Sequence, residues 1–473
     1  MTVAEVRLPM RSDLPAAGSA IHMIGVGGAG MRGLARLLTH EGYRVSGADN
    51  NLLAAAPDLS GVRLVAESDL AAVSGTALVV RSAAVPDDHP QMLQAREAGV
   101  PILKRARALG ALTNGSRLAA VAGTHGKTTV TAMLSLLCEA AGLEPSSLVG
   151  GRVASWDAYS RAGAGDLWVV EADEYDRSFL ELDPHLAIVT SIEEEHMEQY
   201  ETAERLRSSF EEFAARSEPR LGLLACADDA GSRSLAATNS RSRLYGFSGQ
   251  ADARVEIVAT AAGRQVCRLH TEDGPFDFDL AAPGRHNAQN AAVALEAARL
   301  LGADLDVARS ALADFRGVDR RLERLVEASG ITVVDDYAHH PTEVAASLSA
   351  VAAAWPDHAL VTVFQPHLFS RTLRHASEFA VALAASGRAF VLPIYPAREE
   401  PIPGVTERLI TDEAPEHVRT TTRQEIQDEL RDVCQAALSV GSAGVTVVFM
   451  GAGDVTQIAH EFAERVGQRA VGG

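Results

Sequence analysis

Cysteine is scarce in this chain. Four residues, Cys138, Cys226, Cys267 and Cys434, lie far apart in 473 and form no CxxC pair. That argues against a disulfide framework and suits a reducing compartment. No apolar run approaches the ~20 residues of a membrane-spanning helix. The N-terminus lacks the apolar core of a signal peptide, so a cytoplasmic protein is expected. Basic charge is also short. Lys and Arg number 43 against 62 Asp and Glu, a net charge of -19, which argues against a general nucleic-acid surface. Anions must then be bound by local cations. Low-complexity tracts and sequence repeats are missing as well. What remains is ordinary soluble composition, 47% hydrophobic, in a length that suggests about three domains.

The most informative stretch runs from Ala119 to Thr129. Its apolar run ends in Gly123-Thr124-His125-Gly126, and Lys127-Thr128-Thr129 opens a segment with helical spacing. Met133, Leu134, Leu136, Leu137 and Ala141 are expected on one apolar face of that helix. A glycine turn at a helix start offers backbone N–H groups and a positive dipole end to a polyphosphate. Lys127 would supply a cation to the terminal phosphates and the Thr128 hydroxyl a ligand for Mg²⁺. Val121 stands where the general phosphate-loop pattern has Gly, so the turn is a tighter variant.

Residues 1–113 read as a small doubly wound α/β domain. A strand near Ala20–Ile24 runs into Gly25, Gly27, Gly28, Ala29, Gly30 and Met31 and then a helix, the G-x-G-x-x-G context of a nucleotide-binding turn. Asp49, after a second strand, is placed to meet a ribose. Ser82 follows a further strand, to donate to a ligand phosphate or to cap its turn. Taken alone the segment also fits an NAD-dependent oxidoreductase, although such a turn accepts any pyrophosphate.

Residues 114–321 carry the phosphate loop. A buried strand delivers Glu171, Asp173, Glu174 and Asp176 to its C-terminal end, where α/β sheets place ligands and where carboxylates suit Mg²⁺. His196 lies beyond another strand end. His286 and Asn290, four apart at a helix start, are positioned for an adenine edge, and Arg321 for phosphate. Residues 322–473 repeat the plan as an open α/β sheet. Its strand ends carry Asp336, Tyr337, His339, His340, His367 and Arg371, enough titratable groups to mark a site.

Together these motifs resemble the Mur ligase family. The resemblance rests on Gly25 to Met31, Gly123 to Thr129, Glu171 to Phe179, His286 to Asn290, Asp335 to Val344 and Phe364 to Thr372. The first glycine loop and Asp-Asp-Tyr-Ala-His-His-Pro-Thr-Glu resemble most the member that adds L-alanine. The resemblance implies three α/β domains: a Rossmann-like one holding UDP-N-acetylmuramate, a central one holding ATP, and a C-terminal one holding the amino acid. It implies a cytoplasmic ligase of peptidoglycan precursor synthesis working through an acyl phosphate. It places Lys127 on the β/γ-phosphates, with Thr128, Glu171 and His196 on Mg²⁺. His286 and Asn290 would meet adenine, Arg321 the phosphates, Asp336 the junction with the third domain, and His367 and Arg371 the alanine. Ser191, Glu195 and Leu368 depart from the family's usual Asn, Asp and Arg. A murein peptide recycling ligase is the nearest alternative reading.

Overall fold

The computed structural model describes residues 7–50, 57–195, 197–261, 263–397 and 399–471. It contains three sheets, and the chain divides into two compact units. The first unit takes 1–256, 267–279 and 289–316, and the second takes 257–266, 280–288 and 317–473. No helix among the described residues is long and apolar enough to cross a membrane.

The first sheet has five parallel strands in the order Arg63–Val65, Arg44–Ala48, Ala20–Ile24, Leu78–Arg81, Ile102–Lys104. The chain reverses direction across the sheet between Ala20–Ile24 and Leu78–Arg81. Open α/β sheets bind their ligands at such a switch point, beyond the strand C-termini. The first glycine turn stands there.

The strand Arg117–Ala122 lies inside the ten-stranded sheet, between Leu186–Val189 and Leu167–Glu171, parallel to both. All three are almost wholly buried, which explains their unbroken apolar runs. The helix Lys127–Ala140 departs from expectation. Thr128 to Ser135 are buried without a break, where one apolar face was predicted. The helix is covered by the sheet on one side and by the short helices Leu305–Ala308 and Ser310–Ala313 on the other, so its small polar residues are enclosed too.

The third sheet runs Glu323–Ala328, Ile331–Asp336, Gly444–Met450, His358–Phe364, Arg388–Val391, Val418–Thr420. Its first strand is antiparallel and the rest are parallel. Side chains alternate between two cores. Val333, Val361 and Phe449 face one that includes Ile426, Leu430 and Phe462, and Val334, Phe364 and Val448 face another that includes Leu348 and Phe379.

Candidate functional site

The phosphate loop follows directly from the end of Arg117–Ala122. Gly123 has φ +125 and Gly126 φ +83, conformations that favour glycine. Gly126 caps the helix Lys127–Ala140, whose first turn leads with its N–H groups. The loop is held from the neighbouring strand end. The Thr124 N–H donates to Ser191 O (2.9 Å), and the His125 N–H donates to the Ser191 hydroxyl (3.1 Å). The Glu193 N–H donates to the Thr124 hydroxyl at 2.9 Å. Ser191, a departure from the family pattern, therefore supports the loop through its hydroxyl. Asn290 is buried with its amide oxygen against Gly126: a Cβ there would lie 2.8 Å from it.

The acidic cluster separates into distinct roles. Glu171, at the end of its strand, accepts from the Thr128 hydroxyl (3.0 Å) and from the Gly150 N–H (2.6 Å). A hydroxyl and a carboxylate side by side at a phosphate loop are hard oxygen donors of the kind Mg²⁺ takes. His196 lies outside the described residues. Lys127 Nζ donates to both Glu174 oxygens (2.9 and 2.7 Å). The Lys127 ammonium is held above its ordinary pKa: burial pulls it down, but the carboxylates of Glu174, Asp173 and Glu171 outweigh that pull.

At the first glycine turn, Gly28 caps the helix Ala29–His40. The Gly27 N–H donates to Asp49 Oδ2 at 2.9 Å, so Asp49 braces the turn. Ser82 accepts from the Ala84 N–H (3.3 Å), and its Cβ packs close to Gly25. Turn-capping is thus the role its contacts display. Sequence reasoning missed Arg105. Its guanidinium lies against Gly30, where a Cβ would sit 3.0 Å from Nη1, and 3.8 Å from Asp173. The signal was available, because Arg105 directly follows the strand Ile102–Lys104 and opens the helix Arg105–Thr113.

The second unit gathers its own cluster. Asp336 is buried, accepting from the N–H groups of Leu322 (2.9 Å) and Ala338 (2.7 Å). Burial pushes its pKa up to about 6, against the pull of Arg321. Arg320 and Arg321 both lie over the Tyr337 ring, at 4.7 and 5.1 Å. Burial and then Arg321 hold His286 down at about 4. His339 Nδ1 lies 2.9 Å from Tyr337 O. A carbonyl only accepts, so Nδ1, which also lies 3.3 Å from Glu343 Oε2, carries a proton, and in the neutral ring the lone pair is on Nε2. Arg371 Nη1 donates to His367 Nδ1 at 3.4 Å, which leaves the His367 proton on Nε2. Burial, His339 and Arg371 lower His367 to about 4. Tyr395, also missed from sequence, stacks on His367 at 5.8 Å. His340 caps the helix Pro341–Ala354, and its ring meets His375 edge-on.

Three family models match the chain: "Mur ligase family, catalytic domain" over residues 20–117, "Mur ligase middle domain" over 121–298, and "Mur ligase, glutamate ligase domain" over 320–453. The UDP-N-acetylmuramate–L-alanine ligase of Paenarthrobacter aurescens is 42% identical over 454 residues, spanning 94% of this chain and 97% of its own. A crystal structure of the UDP-N-acetylmuramate-alanine ligase MurC from Thermotoga maritima superposes with TM-score 0.77 at 26% identity, covering 95% of this chain and all of that one. A murein peptide ligase from Psychrobacter arcticus shares the fold, with TM-score 0.65 at 22% identity over 95% of this chain and 99% of its own.

Proposed function

The chain belongs to the Mur ligase family, and from that premise we propose that it joins L-alanine to the lactyl carboxylate of UDP-N-acetylmuramate, converting ATP to ADP and phosphate. The observation that carries the reading is identity to an alanine-adding relative along almost the whole of both chains. The murein peptide ligase likeness extends to the fold alone. A nicotinamide oxidoreductase would leave the Lys127 loop without a purpose. We take the domains as 1–113, 114–321 and 322–473; the three family models follow one another in the same order, over 20–117, 121–298 and 320–453.

A carboxylate is a poor electrophile and must be activated. One lactyl oxygen attacks the γ-phosphorus, the bond to the bridging oxygen breaks, and ADP leaves an acyl phosphate. The alanine nitrogen then attacks the acyl carbon, the C–O bond breaks, and phosphate departs. Lys127 neutralises charge on the terminal phosphates, and the loop amides orient them. Thr128 and Glu171, with His196 by family resemblance, would hold Mg²⁺, which screens phosphate charge when bound. The first glycine turn and Arg105 suit the UDP pyrophosphate.

The amine must shed a proton before it attacks. His339 suits this task, since its Nδ1 is committed to Tyr337 O and its lone pair is on Nε2. His367 presents an N–H instead and suits a substrate carboxylate, alongside Arg371. The test is phosphate release from the purified protein with ATP, UDP-N-acetylmuramate, Mg²⁺ and a panel of amino acids. Release that depends on L-alanine and on the UDP-sugar is expected. Release that needs neither, or none at all, rejects the reading.

A further inference from the structure

The Lys127 ammonium is fully engaged. It has three protons, and four oxygens surround it: both carboxylate oxygens of Glu174 and the carbonyls of Gly123 and Thr124. A phosphate that reaches Lys127 must therefore take the place of an oxygen already there. The two carbonyls belong to the loop backbone and are fixed by it. Glu174 is a side chain, and it is the anion of the set.

Glu174 is also built into its place. It is 2% exposed. Its backbone carbonyl accepts from the Tyr200 hydroxyl at 2.6 Å, and Tyr200 is itself buried. The chain then turns sharply through Asp176 (φ +54) and Arg177 (φ +55), and Phe179 anchors it between Phe210 and Phe213. So much support holds one carboxylate on one ammonium.

We propose that Glu174 is a displaceable latch that positions Lys127 beneath the phosphate loop and is exchanged for the terminal phosphates of ATP. The inference rests on the ATP reading above. A carboxylate fixed beside the phosphates opposes nucleotide binding by like-charge repulsion. It recaptures the lysine as ADP leaves, which favours product release. Glu174 is thus a positioning residue, acting through Lys127.

Glu174→Gln keeps the shape and an acceptor oxygen but removes the charge. Calorimetric titration of the folded variant with ATP and Mg²⁺ should give a Kd lowered about tenfold or more. KM for ATP should fall in step, and kcat should fall with it because ADP leaves more slowly. Glu174→Asp, which keeps the charge, should return Kd toward wild type. A Glu174→Gln protein that binds ATP no more tightly than wild type overturns the proposal. A measurement on the wild type needs no variant. The chain has only two lysines, Lys104 and Lys127, and Lys104 pairs with Asp176. Lysine-selective ¹⁵N spectra should show one ammonium signal shifting on saturation with a non-hydrolysable ATP analogue while the other stays. If saturation moves neither, the latch is refuted. Failure of the wild type to bind ATP would instead refute the ATP reading itself.

Discussion

Alanine substitutions at the two phosphate-loop glycines separate backbone obstruction from side-chain obstruction. Gly126 has φ +83, and an L-residue there carries left-handed strain of about 1–2 kcal/mol. Its new Cβ would lie 2.8 Å from Asn290 Oδ1, the tip of a side chain, so moving it adds about 1 kcal/mol. Gly126→Ala should therefore cost about 2–3 kcal/mol. Gly123 has φ +125 and faces backbone as well as a side chain: beyond the Thr190 hydroxyl, which is nearest, its Cβ would lie 2.8 Å from Thr190 N and 2.9 Å from Ser191 N. Relief requires two paired strand ends to part, and Gly123→Ala should cost about 3–5 kcal/mol. Asn290→Ala then discriminates. In a double-mutant cycle it should recover about 1 kcal/mol from Gly126→Ala and nothing beyond about 0.5 from Gly123→Ala. Urea unfolding followed by tryptophan fluorescence measures this, with Trp168 reporting because it pairs with Leu118 in the loop's own strand. Equal rescue of both variants, or a smaller cost at Gly123 than at Gly126, refutes the reasoning.

Lys127→Ala should lower alanine-dependent phosphate release by about 10²–10³ while leaving the circular dichroism spectrum unchanged. Arg105→Ala should raise KM for UDP-N-acetylmuramate about 10–100-fold, the loss of a charged contact of about 1.5–3 kcal/mol, with KM for ATP unmoved. Urea unfolding across pH should show two opposed trends. Asp336 is raised to about 6, so its folded form holds a proton that the unfolded chain releases. Its stabilising term is complete below the unfolded value of 3.8 and is lost as pH rises through about 6. Asp336→Asn should flatten that decline. His286 is lowered to about 4, so its term is complete above 6.5 and is lost as pH falls toward 4, a fall that His286→Gln should remove.

The strand, turn and helix order was legible around the glycine turns and polar strand ends, because buried parallel strands carry unbroken apolar runs and glycines mark the turns; the strands Gly222–Cys226, Ser242–Gly246, Ala253–Ala261, Arg264–Thr271 and Gly274–Leu280, which carry no such motif, went unread. Alternation in the third sheet likewise follows from the pleat. Burial around the helix Lys127–Ala140 was not legible, since the short helices that cover it come from 305–313, far along the chain. Ser191 could be noted only as a departure. That its hydroxyl holds the His125 amide depends on which strand neighbours which. Arg105 was visible as a strand-end residue and was passed over because it belongs to no glycine motif.

The acidic stretch after Leu167–Glu171 shows where a sequence stops being sufficient. It supplies Glu171, Asp173, Glu174 and Asp176 within six positions, and a charge count treats them as one cluster. In the structure Glu171 takes the Thr128 hydroxyl, Glu174 takes Lys127, Asp173 lies 3.8 Å from Arg105, and Asp176 pairs with Lys104. No helical or strand period assigns those directions. The strand ends at Glu171, and the positive φ angles at Asp176 and Arg177 place the segment outside either regular period. Reading the four as one metal site would therefore have given Glu174 to Mg²⁺, whereas its contact through both oxygens with a half-buried ammonium assigns it to the lysine.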